Sequence, residues 1–135
     1  MGPPLKLPDC HPEDHPVRKT LRADPTAVER ASRIFRALGD GPRLRLLELL
    51  ADGESCVTAI VKALGEKFST VSQRLRLLRS EGLVRRRRDG THLYYALADR
   101  HVVDMIHNAL EHAAELEHRS AAAKTDPVSQ TPEKE

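Results

Sequence analysis

The chain has 135 residues, a formal net charge of +2, 39% hydrophobic residues and only 3% aromatic residues. This length supports a single domain, whose small helical core becomes feasible if dimerisation buries more surface. No apolar run approaches the roughly 18 residues of a membrane span, and no signal-peptide pattern opens the chain. Two cysteines, Cys10 and Cys56, are too few for a disulfide framework. We therefore expect a cytoplasmic protein without membrane association.

The first 22 residues are predicted to form a flexible arm, because five prolines within residues 1–16 cannot sustain a helix. Cys10, His11 and His15 lie in this arm beside several acidic residues. Short Cys/His tracts are a compositional indication of metal binding. The cluster either contributes to a second metal site or is a tail that happens to hold soft ligands, and the sequence leaves both interpretations open.

Four helices are predicted between residues 25 and 80, each with a start or stop signal. In the first helix, apolar residues at helical spacing predict one buried face (Val28, Ala31, Ile34, Phe35 and Leu38). The second is leucine-rich on nearly all sides, as in a central core helix. The first helix is expected to start at Asp24-Pro25 and stop at Gly39. The start and stop signals are Asp40 and Gly53 for the second helix and Ser55 and Gly65 for the third, and Ser69 is the expected cap of the fourth.

The third and fourth helices follow the helix-turn-helix plan, in which the second member enters the major groove of DNA. Val71, Leu75 and Leu78 form an inward stripe on the fourth helix, while short polar and basic residues remain outside. Such side chains near the helix start can approach base edges, and arginine can pair with guanine. The alternative is an ordinary amphipathic helix, and the next segment decides between the two.

A β-hairpin follows, because Asp89-Gly90 is a strong two-residue turn signal between two stretches rich in strand formers. Residues 67–92 contain eight basic residues against two acids, a net charge of +6 on a nearly neutral chain. A local basic field beside a helix-turn-helix indicates contact with DNA phosphates, although arginines also protect exposed sheet edges. The predicted DNA-binding residues are Ser69, Thr70, Ser72, Gln73, Arg74, Arg76, Arg85, Arg86, Arg87, Arg88 and His92.

The last predicted helix holds two histidines, His101 and His112, on one face, because eleven residues make nearly three full turns. They lie roughly 16 Å apart along the axis, too far for one metal ion. If two copies pair antiparallel about a two-fold axis near Ile106, each His101 lies opposite the other chain's His112. Asp99 and Glu115 then complete two equivalent four-ligand sets that suit zinc or a similar divalent ion.

Surface helices also carry histidine and glutamate routinely. His107 and His118 repeat the same interval of eleven on another face of this helix. The interval by itself is therefore weak support for a metal site.

Several segments together resemble the ArsR/SmtB family of bacterial metal-sensing repressors. They are residues 38–47 (LGDGPRLRLL), 69–75 (STVSQRL), the hairpin ending DGTHLYY at residues 89–95, and the final D-x-H-x10-H-x2-E pattern. The similarity covers about residues 25–118. It implies a mainly α winged helix-turn-helix with a β-hairpin, in the order α-α-α-α-β-β-α, acting as a homodimer. It also implies that Asp99 and His101 of one subunit join His112 and Glu115 of the other in binding zinc.

That family has a second type of site on its third helix, where a Glu-Leu-Cys-Val-Cys-Asp-Leu pattern is common. This chain has Glu54-Ser55-Cys56-Val57-Thr58-Ala59-Ile60 there and keeps only Cys56. Arsenic(III) sensing, which needs several thiolates, is therefore not expected. Cys10, His11 and His15 of the partner's arm could complete a mixed set with Cys56 for zinc, cadmium or copper(I). The alternative is that Cys56 is a small buried hydrophobe.

The sequence thus predicts a repressor that binds a palindromic operator and is released by zinc, with Co²⁺, Cd²⁺ or Cu⁺ as alternative effectors. A rival hypothesis keeps the DNA-binding half and replaces the metal by another signal, such as thiol oxidation. A metallo-hydrolase is not expected, because all four positions of the proposed site serve as ligands. We place the DNA-binding and dimerisation domain at residues 23–119 and a disordered tail at residues 120–135.

Overall fold

A computed structural model describes Glu13 and residues 23–125. It contains five helices and three strands in these residues. They are α1 (Pro25–Leu38), α2 (Gly41–Ala51), β1 (Ser55–Cys56), α3 (Val57–Leu64), α4 (Phe68–Ser80), β2 (Val84–Asp89), β3 (His92–Leu97) and α5 (Arg100–Thr125). The predicted mainly α fold with a hairpin is confirmed, with one strand more than expected. Nearly all of the proposed arm lies outside the described residues.

The predicted starts of α1 and α2 are confirmed. Asp24 is the N-cap of α1 with Pro25 at the first helical position. Asp40 caps α2, and its carboxylate accepts a hydrogen bond from the Arg43 amide at 2.9 Å. The Arg43 guanidinium also donates to the carbonyl oxygen of Ala37 at 2.8 Å, so the same residue ties the end of α1 to the start of α2.

Two predicted caps are wrong. Ser55 does not cap α3, because its backbone pairs with Tyr95 in the short strand β1, and Cys56 occupies the cap position instead. Ser69 does not cap α4, which starts earlier with Lys67 as N-cap and Phe68 in the first turn. Gly65, with a φ of 65°, ends α3 as expected, in the left-handed conformation that glycine adopts without strain.

The three strands form an antiparallel sheet in the order β1-β3-β2. Strand β1 was not predicted, because two residues are too short to show an alternating pattern. Its pairing with β3 joins the residues before α3 directly to the hairpin. The hairpin is called the wing below and spans residues 84–97, with Gly90 (φ 60°) in its turn.

The core lies between the helices and one face of the sheet. Leu46 and Leu47 of α2, Leu75 and Leu78 of α4 and Ile106 of α5 are at most 1% exposed. The buried face expected for α1 is only partly present within a single chain, since Ala37 is buried and Ile34 and Leu38 are half-buried against the core. Val28 and Phe35 are 53% and 64% exposed. In one chain, therefore, most of the apolar face of α1 has no covering partner.

Helix α5 is longer than expected and continues to Thr125, six residues beyond the boundary placed at Arg119. Alanines at 121–123 and Lys124 are strong helix formers, and the Thr125 hydroxyl donates to the carbonyl oxygen of Ala122 at 3.0 Å. Among residues 23–125 no helix has the length and apolar character needed to cross a membrane.

Two adjacent leucines of α4 provide a stability test. Leu78 is fully buried and Leu77 is 41% exposed. Leu78→Ala should lower the free energy of unfolding by about 2–5 kcal/mol, because the cavity adds to the lost burial. The matched Leu77→Ala should lower it by less than about 1 kcal/mol. Urea unfolding followed by circular dichroism measures both, and equal losses would contradict the packing described above.

Candidate DNA interface and metal site

Helix α4 presents the predicted reading surface on the side away from the core. Val71, Leu75 and Leu78 are fully buried, which fixes the rotation of the helix. Ser69, Gln73 and Arg76 are exposed, and Thr70, Ser72 and Arg74 are half-buried. The polar residues therefore lie together outside the core, near the start of the helix, as the helix-turn-helix prediction requires.

Arg74 is half-buried and already has a charged partner, whereas Arg76 is exposed. The Arg74 guanidinium forms an ion pair with Glu66, which lies in the turn between α3 and α4. Only 21% of the Arg74 side chain is exposed. The sequence did not predict this contact.

The wing exposes all four consecutive arginines, which alternate between its two faces. Arg86 is opposite Tyr95 and Arg88 is opposite Leu93. This face of the wing packs on the core at the end away from the turn, through Val84 and Leu97. Arg85 and Arg87 lie on the other face, opposite Ala96 and Tyr94. Strand β2 is at the edge of the sheet, so protection of that edge stays an alternative role for the arginines.

Arg87 differs from the other arginines of the wing because it already has two partners. Its Nε lies 2.8 Å from Oε1 of Glu54, and its Nη2 lies 2.5 Å from the same oxygen. The guanidinium also lies over the Tyr94 ring, 4.5 Å from the centroid. The hydrogen bond from Arg87 lowers the pKa of the Glu54 carboxyl, and Glu54 raises the pKa of Arg87 in return.

Two of the four proposed zinc ligands lie side by side at the start of α5. Nδ1 of His101 is 3.7 Å from Oδ1 of Asp99, and the His101 side chain is 96% exposed. The same Asp99 oxygen accepts a hydrogen bond from the Val102 amide at 3.1 Å. This bond caps the helix and leaves the second carboxylate oxygen for a metal ion.

The other two proposed ligands, His112 and Glu115, lie farther along α5 and are exposed. Within the described part of one chain, no three His, Cys, Asp or Glu side chains are grouped closely enough to hold a metal ion. Ile106, near which we placed the two-fold axis, is buried in its own core. The exposed stripe beside His112 contains Ala109 and Leu116 instead, with Leu116 48% exposed.

Cys56 is half-buried, ends β1, is the N-cap residue of α3 and has no disulfide partner within residues 23–125. It lines a small cavity with Phe68 and His92. Cys10, His11 and His15, the proposed partners of Cys56 in a second site, lie outside the described residues. The second site therefore stays a prediction.

Comparison with known proteins places this geometry in a family. Residues 40–86 match the family described as bacterial regulatory protein, arsR family. A transcriptional repressor SmtB homolog from Synechocystis is 41% identical over 88 residues, which are 65% of this chain and 67% of that protein. The chain belongs to the ArsR family. ArsR proteins are DNA-binding transcriptional regulators, so the expectation that the protein is not an enzyme is confirmed.

Two further ArsR relatives are similar over most of the fold. A cadmium resistance transcriptional regulatory protein CadC homolog from Staphylococcus aureus is 33% identical over 86 residues, 63% of this chain and 71% of that protein. A DNA-binding domain from Mycobacterium bovis, described as a homodimeric winged helix-turn-helix, has a TM-score of 0.64 at 38% identity. That likeness covers 70% of this chain and 89% of the domain.

Proposed function

We propose that the protein is a dimeric repressor that releases its operator when zinc, or a similar divalent ion, binds between the two α5 helices. The observation that carries the proposal is the pairing of Asp99 with His101 at the start of α5, on a helix whose later turns expose His112 and Glu115. Two nitrogen and two oxygen donors suit zinc and related ions. The cadmium-resistance relative also supports a metal effector.

The dimer is supported by apolar surface that a single chain leaves uncovered. Phe35 and Val28 on α1 and Leu116 on α5 are about half exposed or more. Residues 111–125 of α5 are exposed throughout. A second copy of the chain is the occupant that fits, because the antiparallel arrangement that buries α5 also brings His101 opposite the partner's His112. The Mycobacterium bovis relative is homodimeric by its description.

Two recognition helices related by a two-fold axis would read a palindromic operator, with half-sites about 34 Å apart. The exposed residues Ser69, Gln73 and Arg76 of α4 would face base edges, and the exposed wing arginines would face phosphates. A metal ion held by both subunits links its binding energy to how the subunits are arranged. If that arrangement separates the reading surfaces from the operator, zinc weakens DNA binding, and DNA weakens zinc binding equally.

A zinc titration of the full-length dimer tests the proposal, using a duplex that the protein itself selects from a random pool. We expect two ions per dimer and a rise in the Kd for the duplex of about 5- to 150-fold, measured by fluorescence anisotropy. Magnesium, which prefers six oxygen ligands, is the matched control and should have no effect. A Kd that zinc leaves unchanged but thiol oxidation raises would favour the rival signal instead.

A further inference from the structure

The contact between Arg87, Glu54 and Tyr94 is called the wing clamp here. Glu54 lies immediately before β1, and Arg87 lies 33 residues later in the middle of β2. Three donor–acceptor distances of 2.5–3.0 Å join the guanidinium to the carboxylate, and the ring of Tyr94 lies beneath it. The edge of the guanidinium formed by Nε and Nη2, and one of its faces, are therefore already engaged.

A phosphate would compete poorly for an arginine held in this way. Glu54 uses the Nε and Nη2 donors, which form one of the two bidentate pairs that a guanidinium can offer a phosphate, so only the Nη1 end stays accessible. The carboxylate also places a negative charge where a phosphate would have to approach, which repels it. Arg85, Arg86 and Arg88 form no ion pair among the described residues. They differ from Arg87 in this respect.

The clamp joins the wing to the helix-turn-helix. Cys56 of β1 pairs with Tyr94 of β3, which in turn pairs with Arg87 of β2, so one row of residues crosses all three strands. Cys56 is also the N-cap residue of α3. Glu54 therefore holds the far strand of the wing to the segment that leads into α3, which packs on the recognition helix α4.

We propose that Arg87 is a positioning residue, which orients the wing relative to α4 through Glu54 and Tyr94, and that Arg85, Arg86 and Arg88 make the phosphate contacts. This inference rests on the proposed DNA contact of the wing. It gives Arg87 a role that differs from that of the other three arginines of the wing, although the sequence alone does not distinguish the four.

The salt dependence of DNA binding separates the two roles, because each phosphate contact contributes about 0.9 to the slope of log K against log salt concentration. The full-length variants are Arg87→Gln, the three single changes Arg85→Gln, Arg86→Gln and Arg88→Gln, Glu54→Gln and the double variant Glu54→Gln/Arg87→Gln. Asp89→Asn is the matched control for charge, since it removes one acid from the tip of the wing and keeps a good turn residue. The probe is a duplex of random sequence.

For Arg88→Gln we expect a slope smaller by about 0.9. For Arg87→Gln we expect an unchanged slope and binding about 2- to 5-fold weaker, as suits the loss of one exposed ion pair. Glu54→Gln should bind more weakly than Asp89→Asn, although both lose the same charge. The double variant should be no weaker than Arg87→Gln, because both single changes break the same contact.

Two results would overturn the inference, and they have different meanings. If Arg87→Gln lowers the slope by about 0.9, or if Glu54→Gln binds more tightly than Asp89→Asn with a steeper slope, Arg87 is a phosphate contact that Glu54 restrains. If Arg85→Gln, Arg86→Gln and Arg88→Gln all leave the slope unchanged, the wing does not contact phosphates at all. The second result removes that part of the proposed function as well, whereas the first leaves it intact.

Discussion

Replacing Phe35 with aspartate should convert the dimer into monomers and weaken operator binding by about 100-fold or more. Phe35 is the most exposed of the large hydrophobic residues in the described chain, at 64%, and it continues the apolar stripe of Val28 along α1. A charge there would have to be buried in the subunit interface without a partner. Without the partner, the second half-site no longer benefits from the high local concentration that a dimer provides.

Arg36→Asp is the control for this variant. Arg36 is the next residue of the same helix, so it points roughly 100° away from Phe35 and is itself exposed. Light scattering should show a dimer for Arg36→Asp and a monomer for Phe35→Asp, with similar circular dichroism for both. A dimeric Phe35→Asp protein would mean that subunits meet through another face.

Replacing either His101 or His112 with alanine should abolish the effect of zinc on DNA binding and leave binding without zinc unchanged. Each of the two equivalent sites uses both residues, one from each subunit, so either change damages both sites. We expect the zinc-induced change in Kd to fall from about 5- to 150-fold to less than about 2-fold. Neither side chain belongs to the buried core, so the fold should persist.

His107→Ala and His118→Ala are matched controls, because these histidines are eleven residues apart on the same helix but on another face. Both are exposed in the structure. They should keep the full zinc response. If they lose it while His101→Ala keeps it, the site lies on the face of α5 that carries His107 and His118, and the proposed ligand set is wrong.

Local chemistry allowed much of the fold to be predicted from the sequence. Asp24-Pro25, Asp40 and Gly65 mark helix ends through capping and backbone preferences that act within a few residues. Asp89-Gly90 likewise predicted the hairpin. The turn lies one residue later than expected, because Asp89 pairs with His92 and leaves Gly90 and Thr91 as the two-residue loop. The end of α5 was predicted too early, because Pro127 and Pro132 among polar residues indicated disorder from Ser120 onward, whereas the helix-forming alanines at 121–123 continue α5 to Thr125.

Contacts between distant segments could not be predicted in the same way. Strand β1 exists because Ser55 and Cys56 find partners in β3 some forty residues later, and two residues carry no periodic signal of their own. The Glu54–Arg87 pair has the same origin, since only the sheet brings the two together. The periodicity of α1 correctly marked an apolar face at Phe35 but could not tell whether the chain's own core or another subunit covers it.

The central claim is that each zinc ion is held by His101 of one subunit and His112 of the other, and mixed dimers test it most directly. His101→Ala and His112→Ala proteins are combined under conditions of subunit exchange, and bound zinc is measured before and after mixing. Neither protein alone should hold zinc at this site. A mixed dimer regains one intact site, so random exchange should give about one ion for every two dimers, with partial recovery of the zinc response. If exchange occurs and no zinc binding returns, the ligands do not meet across the dimer and the account is contradicted.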